Sequence, residues 1–329
     1  MENLNIEKEI NKNICKFCQY YEEDYLPTEG YEIHLEYCHN KNNKYSFSKN
    51  QILSHEIHEC NGFKEKIKYY LKKIEQKYDI TIIYAIENGS RVWGFANEDS
   101  DFDIRFIYYH NNIQKYFTIN NKYEDVMMFY DEIYDIVGWD IKKALYLHYK
   151  NNPTIYEWLN TSKVYINKFD YEKLPEINKK TLLHHYYNMG KQTWKKYCEN
   201  WRDEKDLKKL SKKFLYTIRC ILTWNIIFHD LTPSQNINQL IGRNICIGEL
   251  HEKTAEQIDN LLQYYRFNEP QLDSSIKREY STIYAHLEDW IKINLLFMME
   301  STDKFTSVNK KDYSLYNKIL YDIIKGEDV

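Results

Sequence analysis

Glycine and proline are scarce in this chain, 9 and 5 among 329 residues, and no low-complexity linker or internal repeat interrupts it. No uninterrupted apolar run is long enough to span a bilayer, which excludes a membrane passage of that kind. The start, Met1-Glu2-Asn3-Leu4-Asn5, has neither a basic nor an apolar segment. That pattern predicts no secretory signal and a reducing cytoplasm, where the 7 cysteines would serve as thiols or metal ligands. An excess of positive charge is missing too. The net charge of -4 argues against a uniformly basic nucleic-acid binder and leaves phosphate contacts to local patches. Tyrosine is abundant at 32 residues, together with Lys, Asn and Ile, a bias that fits an AT-rich coding sequence and carries no functional argument. The 43% hydrophobic and 29% charged residues are those of a folded soluble protein, and the length predicts two or three domains.

Residues 1–62 hold four of the cysteines, show little helical periodicity and read as a small separate module. Phe63, Ile67, Tyr70, Leu71 and Ile74 then recur at helical spacing with lysines between them. Ile80 to Ile86 is short, β-branched and apolar on both faces, as a buried strand is, and Asn88-Gly89 ends it. Further strands are expected over Asp101 to Tyr109 and through Val126 to Phe129. A polar and apolar alternation from Glu132 to Val137 leads to a break at Gly138 and then a helix from Ile141. Beyond Asn152-Pro153 the pattern is mainly helical, near 179–200, 205–229, 254–266 and 279–300, with loops near 230–250 and 268–275.

Moving a nucleotidyl group requires charge neutralisation at a crowded phosphorus, at the attacking hydroxyl and at the departing pyrophosphate; two divalent ions supply it most directly. Magnesium takes oxygen ligands, so a few carboxylates and the substrate's own phosphates suffice to hold the pair. Asp101 and Asp103 suit that role. At i, i+2 in a strand their side chains share one face, with Cα atoms about 7 Å apart. Upstream, Gly89 permits close backbone approach or unusual dihedrals, and Ser90 adds a hydroxyl, so the turn can hold a triphosphate. Arg91 and Arg105 flank the two halves, each able to neutralise phosphate or to pair with an aspartate, Arg91 being the better phosphate candidate.

With these residues in place, the chain resembles the DNA polymerase beta-like nucleotidyltransferase superfamily, and within it a bacterial and phage branch associated with RNA ligase and RNA repair. The resemblance rests on Gly89-Ser90-Arg91-Val92-Trp93-Gly94-Phe95 and on Ser100-Asp101-Phe102-Asp103-Ile104-Arg105-Phe106-Ile107-Tyr108. It extends to Gly138-Trp139-Asp140-Ile141, Asn152-Pro153, Glu157-Trp158-Leu159 and Lys212 to Arg219, covering roughly residues 80 to 225. Val92 replaces the alanine usual in the branch. The superfamily's third catalytic carboxylate lies on a later strand, where Asp135 is the choice. Asp131 and Asp140 compete, although Asp140, just before an apolar-periodic segment, reads better as a helix cap.

In the N-terminal module, Cys15 and Cys18 form a Cys-x-x-Cys pair that Cys38 and Cys60 can complete as a four-sulfur zinc site. His34 is the alternative fourth ligand, and His39, His55 and His58 remain open. Cys198, Cys220 and Cys246 read as core residues. Between Lys191 and Arg219 ten basic residues stand against four acidic ones. Lys205, Lys208, Lys209 and Lys212 share a helical face, with Phe214, Tyr216 and Trp194 as aromatic surfaces for a polynucleotide. A solvated helix face is the plainer account of those lysines.

The expectation is therefore an α+β protein with a polymerase beta-like core on a small mixed sheet. It divides into a zinc-binding module (1–62), a catalytic domain (63–165) and a helical substrate-binding domain (166–329). Gly89, Ser90, Arg91 and Arg105 would bind a nucleoside triphosphate, while Asp101, Asp103 and Asp135 hold two magnesium or manganese ions. The acceptor expected from the resemblance is an RNA 3′ end. Transfer to a protein or small molecule is the second reading, and a non-catalytic zinc-containing RNA-binding adaptor the third.

Overall fold

The computed structural model describes residues 21–28, 31–38, 61–97, 100–119, 124–130, 134–204, 206–267, 274–302 and 313–326. Near the N-terminus it gives backbone alone: β1 (Tyr21–Thr28) and β2 (Tyr31–Cys38) pair antiparallel, with Tyr21 opposite Cys38 and Thr28 opposite Tyr31. Cys15, Cys18 and Cys60 lie outside the described residues, as do His39, His55 and His58. Cys38 and His34 are placed only as backbone positions of β2, so the expected zinc site falls outside what the structure describes.

Helix α1 (Asn61–Tyr78) buries Ile67, Leu71 and Ile74, the stripe that its spacing requires. Asp79, at φ 51°, turns the chain into β3 (Ile80–Asn88), which is buried almost throughout. A short helix α2 (Gly89–Trp93) and a loop lead to β4 (Phe102–His110), followed by β5 (Val126–Tyr130) and β6 (Tyr134–Asp140). Asp140 does cap the next helix, α3 (Ile141–Tyr149), its Oδ1 accepting from Lys142 N at 2.8 Å. Asn152 and Pro153 open α4 (Pro153–Leu159), the asparagine accepting from Thr154 N and the proline filling the first turn. Strand β7 (Val164–Asn167) completes a five-stranded sheet in the order β5-β6-β4-β3-β7, in which only β4 and β6 run parallel.

The break expected at Gly138 is absent, and β6 runs through it. A Cβ there would meet the Phe106 ring at 2.2 Å, so glycine serves to admit that ring beneath the neighbouring strand rather than to end β6. One sheet face packs Phe102, Ile104, Phe106 and Ile136 against α1. The other packs Ile83, Ile86 and Ile107 against α3 and α4.

The helical half comprises α5 (Lys179–Thr193), a π-helical turn Trp194–Cys198, α6 (Leu207–Phe228), α7 (Ile237–Cys246), α8 (Glu252–Phe267) and α9 (Ser274–Thr302). Helix α6 is central: Leu210, Phe214, Ile218, Ile221 and Trp224 are buried among the surrounding helices. Helix α7 takes up about half of the loop expected at 230–250. Asn236 caps it, accepting from Asn238 N and Gln239 N, and it buries Ile237, Leu240 and Asn244 at three- and four-residue steps. Cys198 and Cys220 are buried as expected, but Cys246, at the end of α7, is exposed. The last helix, α10 (Tyr313–Lys325), returns to the sheet: Tyr316, Ile319 and Ile323 join the α3 and α4 cluster. A boundary at 165/166 thus leaves α10 on the far side from the elements it packs against. No helix among the described residues is long and apolar enough to cross a membrane.

Candidate active site

Alternation along β4 sends Phe102, Ile104 and Phe106 into the α1 core and leaves Asp103 and Arg105 half-buried on the opposite face. The parallel β4–β6 pair sets Asp103 opposite Asp135, register partners on adjacent strands. Asp101, exposed just before β4, lies near both. Each of the three can offer a carboxylate oxygen such that all lie within 4.8 Å of one another. The structure therefore brings together the three carboxylates expected from sequence, while Asp131 lies outside the described residues.

Gly89 has φ 73°, a left-handed conformation, and a Cβ on it would meet Asp103 Oδ2 at 1.8 Å. Glycine is required twice over, for the turn and for the carboxylate that lies against it. Ser90 follows, a buried residue whose carbonyl accepts from Phe95 N at 3.0 Å and so closes the turn.

The two arginines are engaged by protein groups. Arg105 Nη2 donates to Asp103 Oδ1 at 2.5 Å and to Asp135 Oδ2 at 2.9 Å, while Nη1 donates to the Asp135 carbonyl at 2.7 Å. Of the two roles open to Arg105, the structure shows the pairing with aspartate. Arg91 donates to the carbonyls of Ser100 at 2.6 Å and Asp101 at 3.2 Å, and its guanidinium lies 3.8 Å from the Phe102 ring centroid. It pins the loop that delivers Asp101. The sequence could not distinguish these roles, because a guanidinium suits a carbonyl, a carboxylate and a phosphate alike.

Burial pushes the Asp103 carboxyl up to about 7, with Asp101 and Asp135 adding to the shift and Arg105 opposing it. Three clustered carboxyl groups, of which one guanidinium pairs with two, make a site that favours further positive charge. Asp135 Oδ1 is buried with no hydrogen-bond partner among the described residues, an acceptor that a hard cation would satisfy.

The helical half clasps the segment that follows Ser90. Trp93 meets Tyr216 of α6 edge-on, with centroids 5.7 Å apart, and Phe95 is buried within the helical core. A Cβ on Gly94 would meet Asn236 Nδ2 at 2.6 Å, and Arg266 of α8 donates to the Gly94 carbonyl. The Arg219 guanidinium lies 4.5 Å from the Trp93 centroid and donates to Glu157 Oε1 at 3.0 Å, an acceptor it shares with the Tyr186 hydroxyl. Beside Arg91 and Val92, a cleft of about 470 Å³ opens between the halves, with Lys163 and Arg243 as its other cations and no carboxylate in its lining among the described residues. Sequence reasoning did not find this cleft, since Lys163 and Arg243 carry no motif of their own.

A Gly-Ser turn followed by strand-borne aspartates on a small mixed sheet is the arrangement of the nucleotidyltransferase class. Residues 63–322 match the RNA repair pathway DNA polymerase beta family (RlaP), and the chain belongs to that family. It is 30% identical over 269 residues to the uncharacterized protein YcgL of Bacillus subtilis strain 168, which covers 80% of this chain and 96% of that one. The crystal structure of a nucleotidyltransferase-like protein from Exiguobacterium sibiricum 255-15 aligns with 81% of either chain at 8% identity. Its TM-score of 0.30 is too slight a likeness to bear on this chain's fold.

Proposed function

We propose that this protein transfers a nucleoside monophosphate from a nucleoside triphosphate to an acceptor hydroxyl, and that the acceptor is an RNA 3′ end. The observation that carries this reading is the convergence of Asp101, Asp103 and Asp135, with Asp103 against the Gly89 backbone. The donor set is all oxygen and includes the buried, unpartnered Asp135 Oδ1, which fits magnesium or manganese. Asp101, Asp103 and Asp135 would hold two such ions, which when bound neutralise phosphate charge and lower the pKa of the acceptor hydroxyl.

The chain's own residues do the positioning. Arg105 holds Asp103 and Asp135 in one orientation through its fork of donors. Gly89 keeps the backbone clear of the Asp103 carboxylate, and the Gly89-Ser90 turn receives the triphosphate. The cleft beside Arg91, with Lys163 and Arg243, takes the rest of the nucleotide, because its charge is positive where the substrate is polyanionic. Asp135 accepts the proton of the acceptor hydroxyl. The RNA acceptor is supported by the family's place in RNA repair.

The test supplies labelled nucleoside triphosphates, with magnesium or manganese, to RNA, DNA and cell lysate, comparing the natural protein with Asp103→Asn. Label on RNA 3′ ends from the natural protein alone is the expected result. Transfer by neither protein would sink the enzymatic reading, and label on a protein band would sink the RNA acceptor.

A further inference from the structure

The basic stretch from Lys191 to Arg219 is arranged differently from what its sequence suggests. Phe214 and Trp194 are buried, and Lys205 lies outside the described residues. The exposed ring is Tyr197, in the π-helical turn that ends α5. The wider turn keeps Trp194 and Cys198 in the core while sending three consecutive residues, Lys195, Lys196 and Tyr197, to the surface. Lys196 Nζ stands 5.0 Å from the Tyr197 centroid and Lys213 Nζ 4.6 Å from it. The Tyr197 hydroxyl is held below its ordinary pKa by its hydrogen bond to Lys196, with the charges of Lys213 and Lys209 adding to the shift.

The lysines continue as a stripe. Lys209, Lys212, Lys213 and Tyr216 fall at i, i+3, i+4 and i+7 of α6 and so share one face. The stripe ends where Tyr216 meets Trp93, the last residue of the helix that begins at Gly89. Lys209 is seven residues from Tyr216, roughly 10 Å along the axis. Of the four acidic residues between the two helices, two are used locally: Asp206 caps α6 through Lys209 N at 2.9 Å, and Glu204 accepts from Asp206 N at 3.0 Å, while Glu199 and Asp203 are exposed.

We propose that Tyr197, Lys196, Lys209, Lys212 and Lys213 form a binding surface for single-stranded RNA, one base stacking on the Tyr197 ring while the lysines take the flanking phosphates. The stripe on α6 leads that strand toward the Gly89–Trp93 helix. An exposed ring close to ammonium groups is the combination that grips a single strand without reading its sequence, since every base has a face and every nucleotide a phosphate. The inference rests on the RNA-acceptor reading of the site and says which surface holds the acceptor.

The experiment measures binding of a short labelled single-stranded RNA by fluorescence anisotropy, without nucleotide and with divalent ions chelated. Tyr197→Ala is expected to weaken binding about tenfold, and Tyr197→Phe, which keeps the stacking face, to stay within about twofold of the natural protein. Lys196→Glu with Lys213→Glu should weaken it by more than about tenfold, and replacing the two by alanine should lower the salt slope by about 1.4, the value for two single-strand phosphates. Lys72→Glu with Lys318→Glu, exposed lysines on α1 and α10, controls for net charge and should change binding far less. Circular dichroism and melting check that each variant folds.

No RNA binding by the natural protein overturns the proposal, as does Tyr197→Ala binding as tightly as the natural protein. Duplex RNA bound equally well and indifferent to Tyr197→Ala would reduce the surface to unspecific charge and overturn it too. Asp103→Asn is expected to bind RNA normally. RNA binding through this face without transfer would sink the transfer reading and leave the surface standing; nucleotidyl transfer to polypeptide without RNA binding would do the reverse.

Discussion

A methyl group on Gly89 would lie 1.8 Å from the Oδ2 atom of Asp103, so the turn backbone and a metal-ligand candidate occupy adjoining space. Gly89→Ala must displace that carboxylate and also hold alanine at φ 73°. The left-handed conformation alone costs about 1–2 kcal/mol. Urea unfolding should show a loss of that order, and manganese binding followed by electron paramagnetic resonance should weaken at least about tenfold, or 1.4 kcal/mol. Unchanged manganese affinity in a folded Gly89→Ala protein would separate the turn from the metal site.

Asp103 makes the site pH-dependent. Its carboxyl titrates at about 7 when folded, against 3.8 ordinarily, so between those values the folded chain holds a proton that the unfolded chain has released. Its contribution is therefore full below the ordinary value and is lost as pH rises to about 7. The loss in the ion-free protein is at most about 4 kcal/mol, at 1.36 kcal/mol per pH unit. Asp103→Asn should flatten this part of the stability profile and stabilise the ion-free protein at neutral pH. Since divalent ions need the carboxylate, their binding should release a proton and weaken as pH falls below about 7, by up to about tenfold per unit. Calorimetric titration in buffers of different ionisation enthalpy reads that proton, and its absence would contradict the assignment.

The buried Glu157–Arg219 pair ties the Trp93 segment to the helical half. Arg219 is 1% exposed, and its Nη1 atom has no hydrogen-bond partner among the described residues. Removing one partner strands the other's charge, so Arg219→Leu and Glu157→Leu should each destabilise by about 3–5 kcal/mol. The double variant, Glu157→Leu with Arg219→Leu, should lose clearly less than their sum. Additive losses in chemical denaturation would mean that the two charges do not depend on each other.

The cysteine module is tested by metal content. We expect one zinc ion per natural chain, lost in Cys15→Ser, with greater protease sensitivity before residue 61. A natural protein free of zinc, yet equally resistant in that region, would remove the zinc proposal.

Much of the site is legible along the chain because its parts are local. Gly89-Ser90 follows a strand whose β-branched, apolar character is visible in Ile80 to Ile86, and the spacing of Asp101 and Asp103 keeps the two close, although Asp101 stands just before β4 on the loop that Arg91 holds. Asp140 as a cap and Asn152-Pro153 as a helix start are equally local, since a cap is satisfied within three residues. Gly138 misled because glycine marks a break only where the backbone needs one; here it answers to Phe106 on the neighbouring strand. The stretch at 230–250 misled because its apolar spacing is short and the cap at Asn236 is an asparagine among other polar residues.

What the sequence by itself determined is the chemistry on offer: carboxylates at strand spacing, a permissive glycine, and a lysine-rich helix in a chain of net negative charge. Which groups meet was decided only by the tertiary structure. The parallel register sets Asp135 beside Asp103, Arg105 turns to those two aspartates, and Arg91 holds the loop carbonyls. The π-helical turn exposes Tyr197 and keeps Trp194 inside. The reason is physical: strand and helix periodicities are set by the backbone within a few residues, whereas a guanidinium or a ring takes its partner from whatever the packed strands and helices bring within reach.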